Sequence, residues 1–297
     1  MNTAAPSLIL SFAFGNIPVR GKLVRLANVG AQCPSLQIAA GEADIAPVTT
    51  TLLEMLVGAV LMVQDFKTGA DVTLQMHAAA HNATWVTRCD SSNHIRAWAN
   101  TEAHGVPFAN LQHTASTFAA TVTLNEHTYQ SLLPLEADTA AQAIAHYFTH
   151  SVQAATHLRV WVCQHAGQVH CGALFLQALP NQGESYSDDW QRLSYILDTV
   201  TSAEAALADS SVGGTLPTQL LGRLFAEDEV NIYPLEPIVF AVESPRARMG
   251  IALQKLGQTT CAEMLQEGPI VMQDAYTGQE ETFTAADIAA LFVDNPA

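Results

Sequence analysis

Basic residues are scarce in this chain. Lys and Arg together number 12 against 28 Asp and Glu, a formal net charge of -16 over 297 residues. Nucleic-acid binding depends on neutralising phosphates with Lys and Arg, and an anionic membrane surface attracts the same side chains. Neither is therefore expected as a partner. Charged residues of both signs reach only 13% while apolar residues make up 49%, so the chain can bury a sizeable core and is not a disordered or fibrous protein. Long apolar runs are missing. The longest, Leu52 to Val63, is interrupted by Glu54 and falls short of the ~20 residues a membrane span needs. No basic residue precedes Leu8-Ile9-Leu10 and Phe12, the first being Arg20, so a secretory leader is not expected and a cytoplasmic location is. Cysteine is sparse and odd in number: Cys33, Cys89, Cys163, Cys171 and Cys261 read as reduced, mostly buried thiols rather than a disulfide scaffold. Enzyme signatures are missing too: there is no nucleophile elbow, Walker loop, H-E-x-x-H or Rossmann fingerprint. Cys163 and His165 sit two apart on one strand with no third group to orient them. The expectation is a non-enzyme without a cofactor.

What is present is a series of well-punctuated elements. Pro47 opens a helix in which Leu52, Leu53, Leu56, Val60 and Met62 recur near a 3.6 period. Val72, Leu74 and Met76 then alternate with Thr73 and Gln75, a strand with one wet face. Residues 82–88 and 94–99 flank the turn Asp90-Ser91-Ser92-Asn93, which predicts a hairpin, and 118–124 with 128–135 predicts a second. Thr139 with Gln142 fits a capping box that starts a helix presenting Ile144, Tyr147 and Phe148 to a sheet. Residues 158–163 and 173–179 read as two more strands. The fold class is α+β, with a largely antiparallel N-terminal sheet domain over residues 1–180.

Pro180 to Asp189 is a polar break. After it, Trp190, Leu193, Leu197 and Val200 recur at helical spacing, and a second break at 209–214 precedes Leu220, Leu221, Leu224 and Phe225. This middle region, 181–230, reads as a helical linker whose apolar stripes must pack on something, because short isolated helices are marginal in water. Residues 231–297 form a small α+β domain in the order strand, helix, helix, hairpin, helix. Thr260 with Glu263 and Thr284 with Asp287 are two further capping-box candidates there.

Several strings, in order along nearly the whole chain, carry a resemblance. They are Ile17 to Val24 (IPVRGKLV), Leu52 to Leu56 followed by Val72 to Met76, and Tyr129-Gln130 to Leu135-Glu136-Ala137-Asp138 with Tyr147-Phe148. Gly172 to Pro180 (GALFLQALP) and Leu224-Phe225 with Glu227 to Glu229 complete the set, followed by Pro237 to Phe240. Together they resemble the redox-regulated holdase chaperones of the heat-shock protein 33 family. The resemblance implies an ATP-independent holdase whose partners are unfolded or partly folded client proteins, with homodimer formation left open. The client-binding candidates are Trp190, Leu193, Leu197, Val200, Leu220, Leu221, Leu224 and Phe225. The rival reading is a non-chaperone interaction protein that keeps the fold and has lost the activity.

The departure from that family is sharp. Its C-terminal domain holds one zinc with four cysteines in C-x-C and C-x-x-C pairs. The positions corresponding to them here are Val242, Ser244, Asp274 and Thr277, and no histidine lies beyond His170. Such a zinc supplies an apparent ~10–16 kcal/mol to a small domain. Without it, this domain must hold on Ile238, Phe240, Met249, Leu253, Leu256, Leu265, Ile270, Phe283, Ile288 and Leu291, a core of marginal size. No metal is expected, and peroxide is not expected to act through these positions; heat or acid is the expected trigger.

Two other groupings stand apart. Cys163, His165, His170 and Cys171 straddle a turn predicted at Ala166-Gly167. A three-residue loop would set Cys163 opposite Cys171, which allows a disulfide or a metal site. Two half-buried thiols with exposed histidines are the simpler reading, because a tight hairpin poorly aims four ligands at one atom. His146 and His150 have chelating i, i+4 spacing but read as solvated. All 11 histidines lie between His77 and His170, so their protonation would raise the formal charge of -16 by as many units and offers an acid sensor.

Overall fold

The computed structural model describes residues 7–27, 29–32, 45–66, 69–112, 115–125, 127–151, 153–165, 168–179, 187–202, 204, 217–241, 245–273 and 280–292. The chain divides into two compact units, 1–240 and 241–297.

The first unit is built on two six-stranded sheets around one helix. Strands β1 (Leu8–Phe14), β2 (Val19–Leu26), β8 (Thr156–His165), β9 (Gln168–Ala178) and β10 (Val230–Ile232) form the first sheet in the order β10-β1-β2-β9-β8, with β11 (Glu236–Pro237) also pairing β1. The second runs β12-β5-β4-β3-β6-β7, from β3 (Ala70–Ala78), β4 (Ala83–Cys89), β5 (His94–Ala99), β6 (Ser116–Leu124), β7 (His127–Leu132) and β12 (Val239–Phe240). Every pairing in these sheets is antiparallel except β12 with β5. The predicted hairpin turn at 90–93 forms as read: Asp90 Oδ1 accepts from the Ser92 and His94 amides at 2.9 and 3.0 Å, and Asn93 takes the left-handed conformation.

Helix α1 (Pro47–Val63) corrects the one-sided stripe expected for it. All its residues from Val48 to Val63 except Thr50 are buried. Its core cluster takes in Val24, Cys171 and Phe175 from one sheet and Leu74, Trp85 and Phe118 from the other. A helix apolar all round is one that is packed all round. Glu54 is the exception in its midst, and its Oε2 accepts from the Ala141 amide at 3.2 Å at the start of α2 (Ala140–Ser151). Burial pushes the Glu54 carboxyl up to about 7, against the smaller opposing effect of the Ala141 and Ala140 amides. The α2 start is a modified capping box: the Gln142 amide donates to Thr139 Oγ1 at 3.1 Å, but Gln142 Oε1 reaches back to the Asp138 amide rather than that of Thr139.

The last strands of this unit redraw the boundary expected at 231. Strands β10 and β11 pair β1 in the first sheet, and β12 joins the second, so Ile238 and Phe240 belong to the large core. Glu236 pins the crossing: its Oε2 accepts from Asn93 Nδ2 at 3.0 Å, and Asn93 Oδ1 accepts from Gln64 Nε2 at 2.9 Å.

The second unit contains α5 (Pro245–Leu256), α6 (Gln258–Met264), the hairpin β13 (Ile270–Gln273) with β14 (Glu280–Phe283), and α7 (Ala285–Leu291). Its core is Met249, Leu253, Cys261, Ile270, Phe283 and Ile288; Leu256, expected inside, is exposed. The Thr284–Asp287 capping box forms in full. The Thr260–Glu263 box does not: Gly257, at φ 89°, precedes α6, and Thr260 lies inside it. Arg246 ties the unit together, with Nη1 3.1 Å from Glu281 Oε2, Nη2 2.7 Å from Asp287 Oδ1, and its guanidinium 4.5 Å over the Phe283 ring. Val242, Ser244, Asp274 and Thr277, the positions that the resemblance matches to zinc ligands, lie outside the described residues.

Candidate functional site

Alternation decides what the first sheet offers to its second face. Leu8, Leu10, Phe12 and Phe14 recur at every second residue of β1, so they share a face and are all buried. Leu23 of β2, Trp161 of β8, and Leu174 and Leu176 of β9 complete an apolar platform. Gly21 lies opposite Phe12 across the β1–β2 pair, where a Cβ would run into the Phe12 ring, so only glycine lets that ring lie over the sheet.

Helices α3 (Ser187–Thr199) and α4 (Pro217–Leu224) cover this platform. Of the eight residues singled out from sequence, Leu193, Leu197, Val200, Leu220, Leu221 and Phe225 are buried on it, and Trp190 and Leu224 pack half-buried at its margin. All eight therefore come together, against strands 200 residues away in the chain as well as nearby ones. Phe225 wedges between Phe12 and Phe14, with ring centroids 5.8 and 5.0 Å apart. The cavity left between sheet and helices, lined by Leu23, Trp161, Leu174, Val200 and Leu220 among others, is only ≈ 10 Å³.

Among the described residues, few polar ties hold the cover. The Trp161 indole donates to the Val200 carbonyl at 3.1 Å, fixing the end of α3. Arg192 grips Asp228 with two bonds, 2.6 and 3.0 Å, and joins α3 to the turn after α4; the Asp228 side chain is 8% exposed. Arg223 pairs with Glu204 at 2.9 Å and His157 with Asp198 at 3.0 Å, both near the surface. Asp188 and Asp189 sit in the first turn of α3, where the helix dipole favours anions.

Helical spacing alone marks the two covering helices; the platform's own mark in the sequence is the period-two pattern of LILSFAF.

The sequence model of the Hsp33 protein family matches residues 7–284. The chain belongs to the Hsp33 family. The 33 kDa chaperonin of Aeromonas salmonicida is 28% identical, over 97% of this chain and 96% of its own. That of Pseudomonas aeruginosa is also 28% identical, over 95% and 93%. The crystal structure of the Thermotoga maritima 33 kDa chaperonin shares the fold at a TM-score of 0.69, with 16% identity, over 96% of this chain and 97% of that one. The zinc that the sequence resemblance implies does not fit the residues at the positions matched to its ligands, Val242, Ser244, Asp274 and Thr277. A valine offers no donor, and serine, threonine and a single aspartate are not the thiolate set that closes a tetrahedral structural site.

The other groupings resolve differently. The β8–β9 register sets Cys163 opposite His170 and Val162 opposite Cys171 across a two-residue loop, which corrects the pairing expected from a three-residue one. Adjacent positions on a strand point to opposite faces, so the two thiols are not a cross-strand pair, and neither is in a disulfide. Burial, with smaller effects from Glu54 and Cys163, raises the Cys171 thiol. His146 and His150 are exposed, with ring centroids 6.2 Å apart, and the His150 Nδ1 pairs with the His146 carbonyl at 2.8 Å. Among the described residues no group of three or more His, Cys, Asp or Glu is placed to hold a metal, and no helix is long and apolar enough to cross a membrane.

Proposed function

We propose that this chain is an ATP-independent holdase for unfolding proteins whose activity is not governed by a zinc–cysteine centre. The observation that carries the reading is the covered platform. Eight large apolar side chains of one sheet face meet eight from the two helices and the turn after them, and the cover is two short helices. Helices of 13 and 8 residues gain most of their stability from this packing and little from their own hydrogen bonds. Lifting them would bare two apolar surfaces at once, in a protein with no nucleotide-binding motif. Family membership supports a chaperone, and the Val242, Ser244, Asp274 and Thr277 donor set supports a member without the thiol switch. The test is light scattering of a thermally unfolding client with the purified protein and no nucleotide. Suppression at or near equimolar ratio is the expected result. A several-fold molar excess that leaves scattering unchanged under native, oxidising, acidic and heated conditions would instead favour a partner-binding protein without chaperone activity.

A further inference from the structure

Strand β7, His127–Leu132, forms one edge of the second sheet, and among the described residues no strand pairs with its outer side. The Leu133 amide donates to the Phe118 carbonyl at 2.7 Å, which makes those two a hydrogen-bonded pair. Antiparallel alternation then commits His127, Tyr129 and Ser131 to β6, and turns the N–H and C=O of Thr128, Gln130 and Leu132 outward. Natural edge strands are blunted by charge, proline or a bulge. This one, HTYQSL, has no Asp, Glu, Lys, Arg or Pro, and its register against β6 is unbroken. It also carries Leu132 and Tyr129, 72% and 61% exposed, on opposite faces.

We propose that the open edge of β7 is a strand-addition site for extended, apolar segments of unfolding proteins. The inference rests on the chaperone reading and gives it a second client contact, distinct from the covered platform. The occupant follows from size and charge. A six-residue edge falls well short of the ~1,000 Å² that a stable interface between folded proteins needs, so a permanent dimer is not what it fits. An extended segment needs no such area, because its main chain supplies the bonds and every sequence has one. The absence of charge on the edge removes discrimination by sign. Leu132 above and Tyr129 below each give one apolar contact to a segment whose side chains alternate.

The test uses the full-length protein and a fluorescent ten-residue peptide of alternating Val and Thr, read by anisotropy. A second peptide carries N-methyl groups on alternate residues and cannot donate along one edge. Gln130→Pro removes one outward N–H and spares the bonds to β6; Leu132→Lys adds charge at an exposed position and keeps the fold available if the proline variant does not fold. Each variant is expected to bind the parent peptide about fivefold more weakly or worse, and the methylated peptide to lose binding similarly. Equal binding by Leu132→Lys and wild type, equal binding of the two peptides, or no binding at all would overturn the proposal. So would a wild-type dimer in sedimentation that Leu132→Lys dissolves, since the occupant would then be a second copy. Peptide binding without suppression of client aggregation would sink the holdase reading and leave the edge site standing; suppression unchanged in both variants, with no peptide bound, would do the reverse.

Discussion

Glu54 makes the first unit's stability depend on pH in a direction opposite to ordinary acid denaturation. Its carboxyl is 6% exposed between two sheets and is held near 7 instead of the usual 4.5, chiefly because burial disfavours the anion. The folded state therefore binds this proton more tightly than the unfolded chain. The group's contribution is fully present below about 4.5 and is lost as pH rises through about 7. A difference of about 2.5 pH units corresponds to about 3 kcal/mol between pH 4.5 and pH 8. No neighbouring charge contributes to that rise, and the Cys171 thiol, itself raised by burial, stays protonated throughout this range. Glu54→Gln should remove the dependence while keeping an oxygen for the Ala141 amide. Urea unfolding of both proteins from pH 4.5 to 8.5 isolates the term, because the other carboxylates cancel in the difference. Wild type should lose about 3 kcal/mol relative to the variant as pH rises. A difference that is flat, or that grows in favour of wild type with rising pH, would refute the assignment. The same sign means that any acid activation must act elsewhere than on this core.

Four further outcomes follow from the same residues. Elemental analysis of the purified protein should find no stoichiometric zinc; one tightly held ion per chain would contradict the donor-set argument. Peroxide should leave circular dichroism and client protection nearly unchanged, and strong activation reversed by a reductant would show that a remaining thiol pair has become a switch. Arg192→Ala should loosen α3, by leaving Asp228 without its guanidinium, and give client protection at a temperature where wild type gives none; unchanged protection and unchanged proteolysis of 187–228 would argue that the tie is incidental. Gly21→Ala should push the Phe12 ring off the sheet and cost about 1–3 kcal/mol in urea unfolding, as overpacking does; a neutral effect would mean the ring has room to move.

Most local features were legible because they depend on neighbours in sequence. The period-two strands at 70–78 and 83–99, the Asp90–Asn93 turn and the Thr284–Asp287 cap need only a few adjacent residues to specify them. The family resemblance was legible in the same way, from short strings in order along the chain. The failures share a different cause. Whether the stripe of α1 faces one sheet or two is set by strands from both ends of the chain closing around it. The Cys163 register turned on a single residue of loop length, and one residue exchanges the faces of a strand. Thr260 lost its capping role because Gly257 starts the helix earlier. Residues 231–240 read as the head of the last domain, yet their bonding partners are β1 and β5, more than a hundred residues upstream. The eight apolar residues of the middle region show the same division. Their helical spacing by itself required that they be buried or bound; only the platform of β1, β2, β8 and β9, assembled from distant segments, decided that in this state they are buried, because an apolar stripe takes whatever apolar face the fold brings to it.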